Sequence, residues 1–197
     1  MKPSSRTIEL SLLLFGAALL VLPLECEAQV KEMSIQELTM ESTSILYGKC
    51  TKMESAWTEN NEMIFTTVTI VPEYYLKGNI GNEVSIVVPG GQVGDIVYEV
   101  SEMPSFRKGE EVFAFVWKHP SGKNLVTGGY QGKLKIDMDV RTGKKTVSGK
   151  QHGKDIPKPD RQEAISADKK TPLPQKNKNR VSLDDFTREV TGYLNER

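Results

Sequence analysis

The sequence predicts an all-β body, a small closed antiparallel barrel or, alternatively, a β-sandwich, with a short helix near each end. Three observations predict it. Strong β-formers come in short blocks separated by turn-forming residues: Ile45 to Met53, Ile64 to Val71, Val84 to Val88, Ile96 to Val100, Val112 to Trp117, and Leu125 with Leu134 to Met138. Within blocks the period is two. Ile64, Thr66, Val68 and Ile70 share one face, and Lys133, Lys135 and Asp137 alternate with Leu134, Ile136 and Met138. No block is followed by a long helical pattern, so no βαβ unit and no parallel sheet are expected.

The chain has 197 residues. Its first stretch reads as a leader. Lys2 and Arg6 give a basic start, Leu10 to Leu22 is an apolar run of 13 residues, and Cys26 and Ala28 offer the small residues that a signal peptidase reads. The run is short for about 30 Å of hydrocarbon, which favours cleavage after Ala28 over a membrane anchor. Glu25 beside Cys26 argues against a lipoprotein site. A mature chain starting at Gln29 would be periplasmic or secreted. It would keep Cys50 as its one cysteine, so no internal disulfide could form and an ordinary apolar core must hold the fold. Cys50 lies in a strand pattern and reads as a small core residue.

Ser34 and Glu37 form a capping-box spacing, which predicts a helix to about Met40. The β blocks follow. About five to seven strands in residues 29–142 suit a small barrel of the oligonucleotide/oligosaccharide-binding type. Gly48, inside the first long strand, would permit the sharp coil that closure needs. Past residue 142 the pattern fails. Residues 143–181 carry 11 Lys or Arg against 4 Asp or Glu and almost no large apolar side chains, which predicts a flexible basic tether. Ser182, with Asp185 three residues on, then opens a helix over 182–197. Its Leu183, Phe186, Val190 and Leu194 form one narrow apolar stripe, suited to docking on the barrel or on a partner.

Little of the chain looks like chemistry. The stretch "VPGGQVGD" has a strand before it but another strand after it and no lysine, so it is no phosphate cradle. Gly90, Gly91 and Gly94 instead supply positive φ in a connection between strands. "TGGYQGK" lacks the P-loop spacing. The two histidines, His119 in a hairpin tip and His152 in the tether, suit neither a triad nor a zinc cluster. Glu110 and Glu111 are adjacent on a strand and face opposite ways. Asp137 and Asp139 read as part of a hairpin turn rather than a calcium site. No cofactor and no metal are expected. Residues 29–142 carry 11 basic against 15 acidic residues, the wrong sign for nucleic acid. The basic tether, without aromatics, offers at most loose attraction to an anionic envelope surface.

Taken together, "ESTSILYGKCTKMESAW", "IFTTVTIVPEYYLKG", "VSIVVPGGQVG", "MPSFRKGEEVFAFV" and "GGYQGKLKI" resemble a family of exported bacterial proteins of unassigned activity, over about Ser34 to Asp137. The closing "SLDDF" helix fits the same pattern. That family looks like the netrin-like module of the tissue inhibitors of metalloproteinases, a likeness at the level of fold. The resemblance implies a non-enzymatic module that binds another exported protein, with a secreted metalloprotease as one partner it suggests. The inhibitors' N-terminal cysteine has no counterpart at Gln29, so their zinc-chelating mechanism does not carry over. Loops on a rigid barrel commonly carry recognition. The two candidates are "PGGQVGD", with Gln92 and Asp95, and "MPSFRKGE", with Phe106 and Arg107. The alternative is an enzyme that acts on a glycan with two carboxylates, which needs both acids in one cleft about 5–9.5 Å apart.

Overall fold

The computed structural model describes residues 31–149 and 181–196. The expected leader over residues 1–28, the tether over residues 150–180 and His152 lie outside the described residues. Helix α1 (Ile35–Glu41) opens on the capping box: the Ser34 hydroxyl accepts from the Glu37 N–H at 3.1 Å and Glu37 accepts from the Ser34 N–H at 2.8 Å. At its other end the Lys77 ammonium donates to the carbonyls of Thr39 and Met40, at 2.9 and 3.2 Å, which satisfies two of the helix's last carbonyls.

Then come β1 (Ser44–Trp57), β2 (Ile64–Lys77), β3 (Val84–Pro89), β4 (Gly91–Val93), β5 (Ile96–Tyr98), β6 (Glu111–Lys118), β7 (Asn124–Val126), β8 (Lys133–Met138), β9 (Lys145–Ser148) and β10 (Val181–Ser182), followed by α2 (Leu183–Asn195). Strands β1, β2, β3, β7 and β6 pair in a ring, because β6 returns to β1. The fold is therefore a small all-β barrel of five strands with short helices, and of the two expected architectures it is the barrel. The ring closes through a parallel contact of β3 with β7 at Ile86 and Asn124, where the Asn124 amide donates to the Ser85 carbonyl. The barrel is thus mixed, against the expectation of antiparallel pairing throughout.

Closure needs β1 to leave β2 at one end and join β6. The β1–β2 register slips between Tyr47 and Gly48, and a Cβ at Gly48 would collide with the Val71 carbonyl oxygen. Strands β1 and β2 run past their expected ends, to Trp57 and Lys77, because each pairs with the other along its length.

The core has two layers. Leu46, Cys50, Val68, Ile86, Val112 and Val116 are among the residues that fill the barrel. Phe113 and Phe115 point the other way from β6 and pack with Ile45, Ile136 and Leu38 beneath the two helices. Strand β6 therefore buries both faces, which explains its unbroken apolar run. Helix α2, capped by Ser182 as its sequence predicts, lays Leu183, Phe186 and Val190 on this outer layer. Phe186 meets Phe113 edge-on, centroids 4.9 Å apart.

The tether boundary at residue 142 needs correction. Residues 145–148 form β9, paired with β8 on one side and with β10 on the other, and Val147 is buried. A lone valine among lysines and glycines gives little period to read. Ladder bonds and the Asp139 turn hold this strand, with the Gly143 and Thr142 N–H groups donating to the Asp139 carbonyl and the Arg141 N–H to its carboxylate. That turn is the hairpin expected for Asp137 and Asp139. Among the described residues, no helix is long and apolar enough to cross a membrane.

Candidate functional site

The glycine-rich stretch forms a small ribbon rather than a wide loop. Gly90 and Gly91 hold φ of 99° and 141° where the chain leaves β3, and Gly94, at φ 60°, turns β4 into β5. The ribbon is fixed at its root. The Gly90 N–H donates to the Ile64 carbonyl at 2.8 Å and the Thr66 hydroxyl to the Gly90 carbonyl at 2.7 Å, with the Ser55 hydroxyl bonded to that of Thr66 at 2.9 Å. Any side chain at Gly91 would strike the Thr66 and Ser55 hydroxyls, so only glycine lets the ribbon lie this close to β1 and β2.

Beyond the root the ribbon stands clear of the body. Ile96, Val97 and Tyr98 are 54, 59 and 37 % exposed. Successive residues of a strand face opposite ways, so β5 is apolar on both faces, with Ile96 and Val97 largely in solvent and Tyr98 partly covered at the cleft. Beside it lies a cleft of about 320 Å³, lined on the barrel side by Met53, Val68 and Val88 and on the other by Tyr98, Val100 and Met103.

The structure separates the eight side chains expected to make contacts. Gln92, Asp95 and Arg107 are exposed, and Gln92 folds back so that its amide donates to the Gly94 carbonyl. Phe106 is 7 % exposed and belongs to the barrel core, which removes it as an exposed anchor. Its ring forms part of the cleft wall and lies 5.3 Å beneath the Lys133 ammonium. Lys133 in turn pairs with Glu110 at 3.0 Å, and Glu110 accepts from the Arg107 N–H at 2.8 Å. This mostly buried pair fastens the loop that forms the cleft's outer wall. Leu183, Phe186 and Val190 are covered by the chain's own barrel, and Leu194 is half-buried.

Sequence reasoning missed Ile96, Val97 and Tyr98 as surface residues, because they read as one more barrel strand. The signal was the spacing. Gly94 and Asp95 stand immediately before them and Glu99 immediately after, which leaves a strand too short to cross a barrel wall.

The groups with chemical capacity are occupied elsewhere. The Cys50 thiol is fully buried, and burial, followed by the nearby Glu110 charge, pushes its pKa up, the opposite of an activated nucleophile. Glu110 and Glu111 face apart as expected, Glu110 to Lys133 and Glu111 to Lys145 at 2.9 Å. His119 does meet a serine: its Nδ1 lies 2.8 Å from the Ser121 hydroxyl and also accepts the Ser121 N–H, a local bond that shapes the hairpin tip. Among the described residues, no three His, Cys, Asp or Glu side chains gather into a set that would hold a metal ion. Four clefts are lined by one acid each: Glu99 beside the ribbon, Glu189 between the helices, Glu102 near β8 and Glu59 at the β1–β2 end. No family model, no curated protein and no solved structure matches the chain.

Proposed function

We propose that this chain is a protein-binding module whose contact surface is the β4–β5 ribbon with its adjoining cleft. One observation carries the reading: Ile96 and Val97 stand more than half in solvent, with Tyr98 beside them at the cleft, on a ribbon whose root is rigidly bonded. Water penalises such exposure, and a patch of this kind beside an apolar cleft marks an interaction surface. The rigid root lowers the ordering cost of binding. Exposed Arg107 and Asp95 supply a polar rim around the apolar centre. A glycan-cleaving mechanism would need two acids in one cleft, and the ribbon cleft is lined by one, Glu99.

The leader reading places the partner among exported proteins, and the barrel motifs put secreted metalloproteases first among those to test. Inhibition of such an enzyme would work by covering its site. The exported product should have the intact mass of a chain that starts at Gln29. The decisive measurement is binding of the full processed chain to exported proteases of the same cell, with Ile96→Asp and Val97→Asp beside it. Loss of binding by both, with an unchanged near-ultraviolet circular dichroism spectrum, is the expected result. Equal binding by both variants discards this surface. Substrate turnover by the chain itself, abolished by Glu99→Gln, overturns the binding-module reading.

A further inference from the structure

Strand β5 is an open edge. Among the described residues its ladder partner is β4 alone. In an antiparallel pair, residues alternate between bonding the partner strand and turning both main-chain groups away from it. Val93 and Ile96 close the two-residue turn, and Gly91 stands opposite Tyr98, so Ile96 and Tyr98 bond inwards. Val97, opposite Gln92, turns its N–H and C=O outwards. Proteins usually blunt such an edge with lysine, proline or a bulge. This one has acids instead: Asp95 immediately precedes the apolar triplet, Glu99 immediately follows it, and residues 88–106 contain no Lys or Arg at all.

Resting on the binding-module reading, we infer that β5 takes its partner by strand addition, and that the partner supplies an extended segment with an apolar triplet bracketed by Lys or Arg. Main-chain bonds to Val97 would give affinity, and the bracketing charges would set register. An antiparallel segment centred on Val97 brings one flanking residue beside Asp95, in the turn, and the other beside Glu99, just past the end of β5. Opposite charges facing each other across strands are favourable and like charges are not. The same geometry disfavours a second copy of this chain, because self-pairing about Val97 would set Asp95 of each copy against Glu99 of the other. The incoming apolar side chains would lie against Ile96 and Tyr98 on one face of the ribbon and Val97 on the other.

The test uses the full chain and synthetic peptides that carry Lys-Val-Val-Val-Lys or Glu-Val-Val-Val-Glu. The lysine peptide should bind about tenfold more tightly than the glutamate peptide, and saturation should slow hydrogen exchange at the Val97 amide. Val97→Pro removes the outward N–H while leaving the bonds to β4 in place, and should cost at least about tenfold in lysine-peptide affinity. Val97→Thr keeps the N–H and should lose less affinity than Val97→Pro. If proline disturbs the ribbon, seen in the β4 amide signals, the double variant Asp95→Lys/Glu99→Lys decides, since it should reverse the preference between the peptides. Equal affinity for the two peptides, or undiminished binding by a correctly folded Val97→Pro, overturns the inference. If Val97→Pro spares a protein partner that Ile96→Asp abolishes, strand addition fails and the binding surface stands. If Ile96→Asp also spares it, the surface itself is wrong.

Discussion

Two parts of this molecule place aromatic and branched apolar side chains outside the barrel, and they meet opposite fates. On the outer face of β6, Phe113 and Phe115 lie beneath Phe186 and Val190 of α2, all of them essentially sealed from water. At the ribbon, Ile96, Val97 and Tyr98 are similar in chemistry and stand in solvent. The difference lies in cover. The chain's own terminal helix returns over β6, and among the described residues nothing returns over β5. Where the chain supplies its own lid, apolar area contributes to stability. Where it supplies none, the same kind of area contributes almost nothing to the folded state and is left for a partner. Stability measurements and binding measurements should therefore respond to opposite ends of the molecule.

The largest effect should come from the covered end. Phe186 is 1 % exposed and touches two phenylalanine rings, with centroids at 4.9 and 6.5 Å. Phe186→Ala leaves a cavity and removes the edge-on contacts, so urea denaturation should show a loss of about 3–5 kcal/mol. Affinity at the ribbon should be unchanged where the variant remains folded. A loss below about 1 kcal/mol would mean that α2 only leans on the barrel.

The second effect tests whether the two ends are independent. Lys133 and Glu110 are paired with side chains only 13 and 9 % exposed. Lys133→Met leaves a mostly buried carboxylate that keeps the Arg107 N–H bond, and should cost about 3 kcal/mol, the low end for breaking such a pair. Replacing both partners, in Lys133→Met/Glu110→Leu, should recover much of that loss. This pair fastens the loop that walls the cleft, so Lys133→Met should also weaken partner binding, which Phe186→Ala should not. Coupled loss in both variants would erase the distinction between the ends.

How much of this was legible follows from what each element depends on. The serine N-caps of both helices, the β1–β2 pair, the β6 run and the Gly48 bend could be read because local residues determine them: a serine with a carboxylate three residues on, a period of two, a glycine where no Cβ fits. Strand β9 could not, because Lys145–Ser148 owes its conformation to β8 and β10 and only Val147 reaches the core. The parallel contact at Ile86 and Asn124 is a consequence of closure and leaves no trace in either segment. For the site, the loops were legible from their glycines and turn chemistry, but the side chains were not. Phe106 looked like an anchor because it is a side-chain type favoured at interface hot spots and lies in a loop on a rigid barrel, and here Lys133 and the barrel interior hold it inside. Val97 was hidden by resemblance to the strands around it.

A smaller effect, confined to the covered end, concerns acid. Glu37 titrates at about 2, well below its ordinary 4.5, because the Ser34 N–H donates to its carboxylate, with Lys31 and the Ser34 hydroxyl adding to the effect. A carboxyl whose folded value is depressed contributes stability that is present above the unfolded value and lost as pH falls through the folded one. The loss from this group should fall between about pH 4.5 and 2, and Glu37→Gln, which keeps an acceptor for the cap, should remove that part of the pH dependence. Carboxyl chemical shifts followed by NMR would show it. Titration of Glu37 at an ordinary value would mean that the capping box opens in solution.

The smallest effect on stability is the most informative about function. Ile96→Ser and Val97→Ser each remove apolar area that water already reaches, so neither should change the unfolding free energy by more than about 0.5 kcal/mol. Both keep their main-chain groups, and β4, held at Gly90 and Gly91, keeps the ribbon in place. Affinity for a partner should nevertheless fall by at least about tenfold, since contacts at the centre of an interface dominate its energy. The pair of results separates two explanations of the exposed triplet. If the ribbon packs against another part of this chain, serine at these positions would lower stability as it would at Phe186. If the triplet waits for a partner, stability stays level and binding alone falls. A stability loss above about 1 kcal/mol in either variant would therefore move the ribbon into the same class as the α2 face, and the contrast between the two ends of the molecule would be gone.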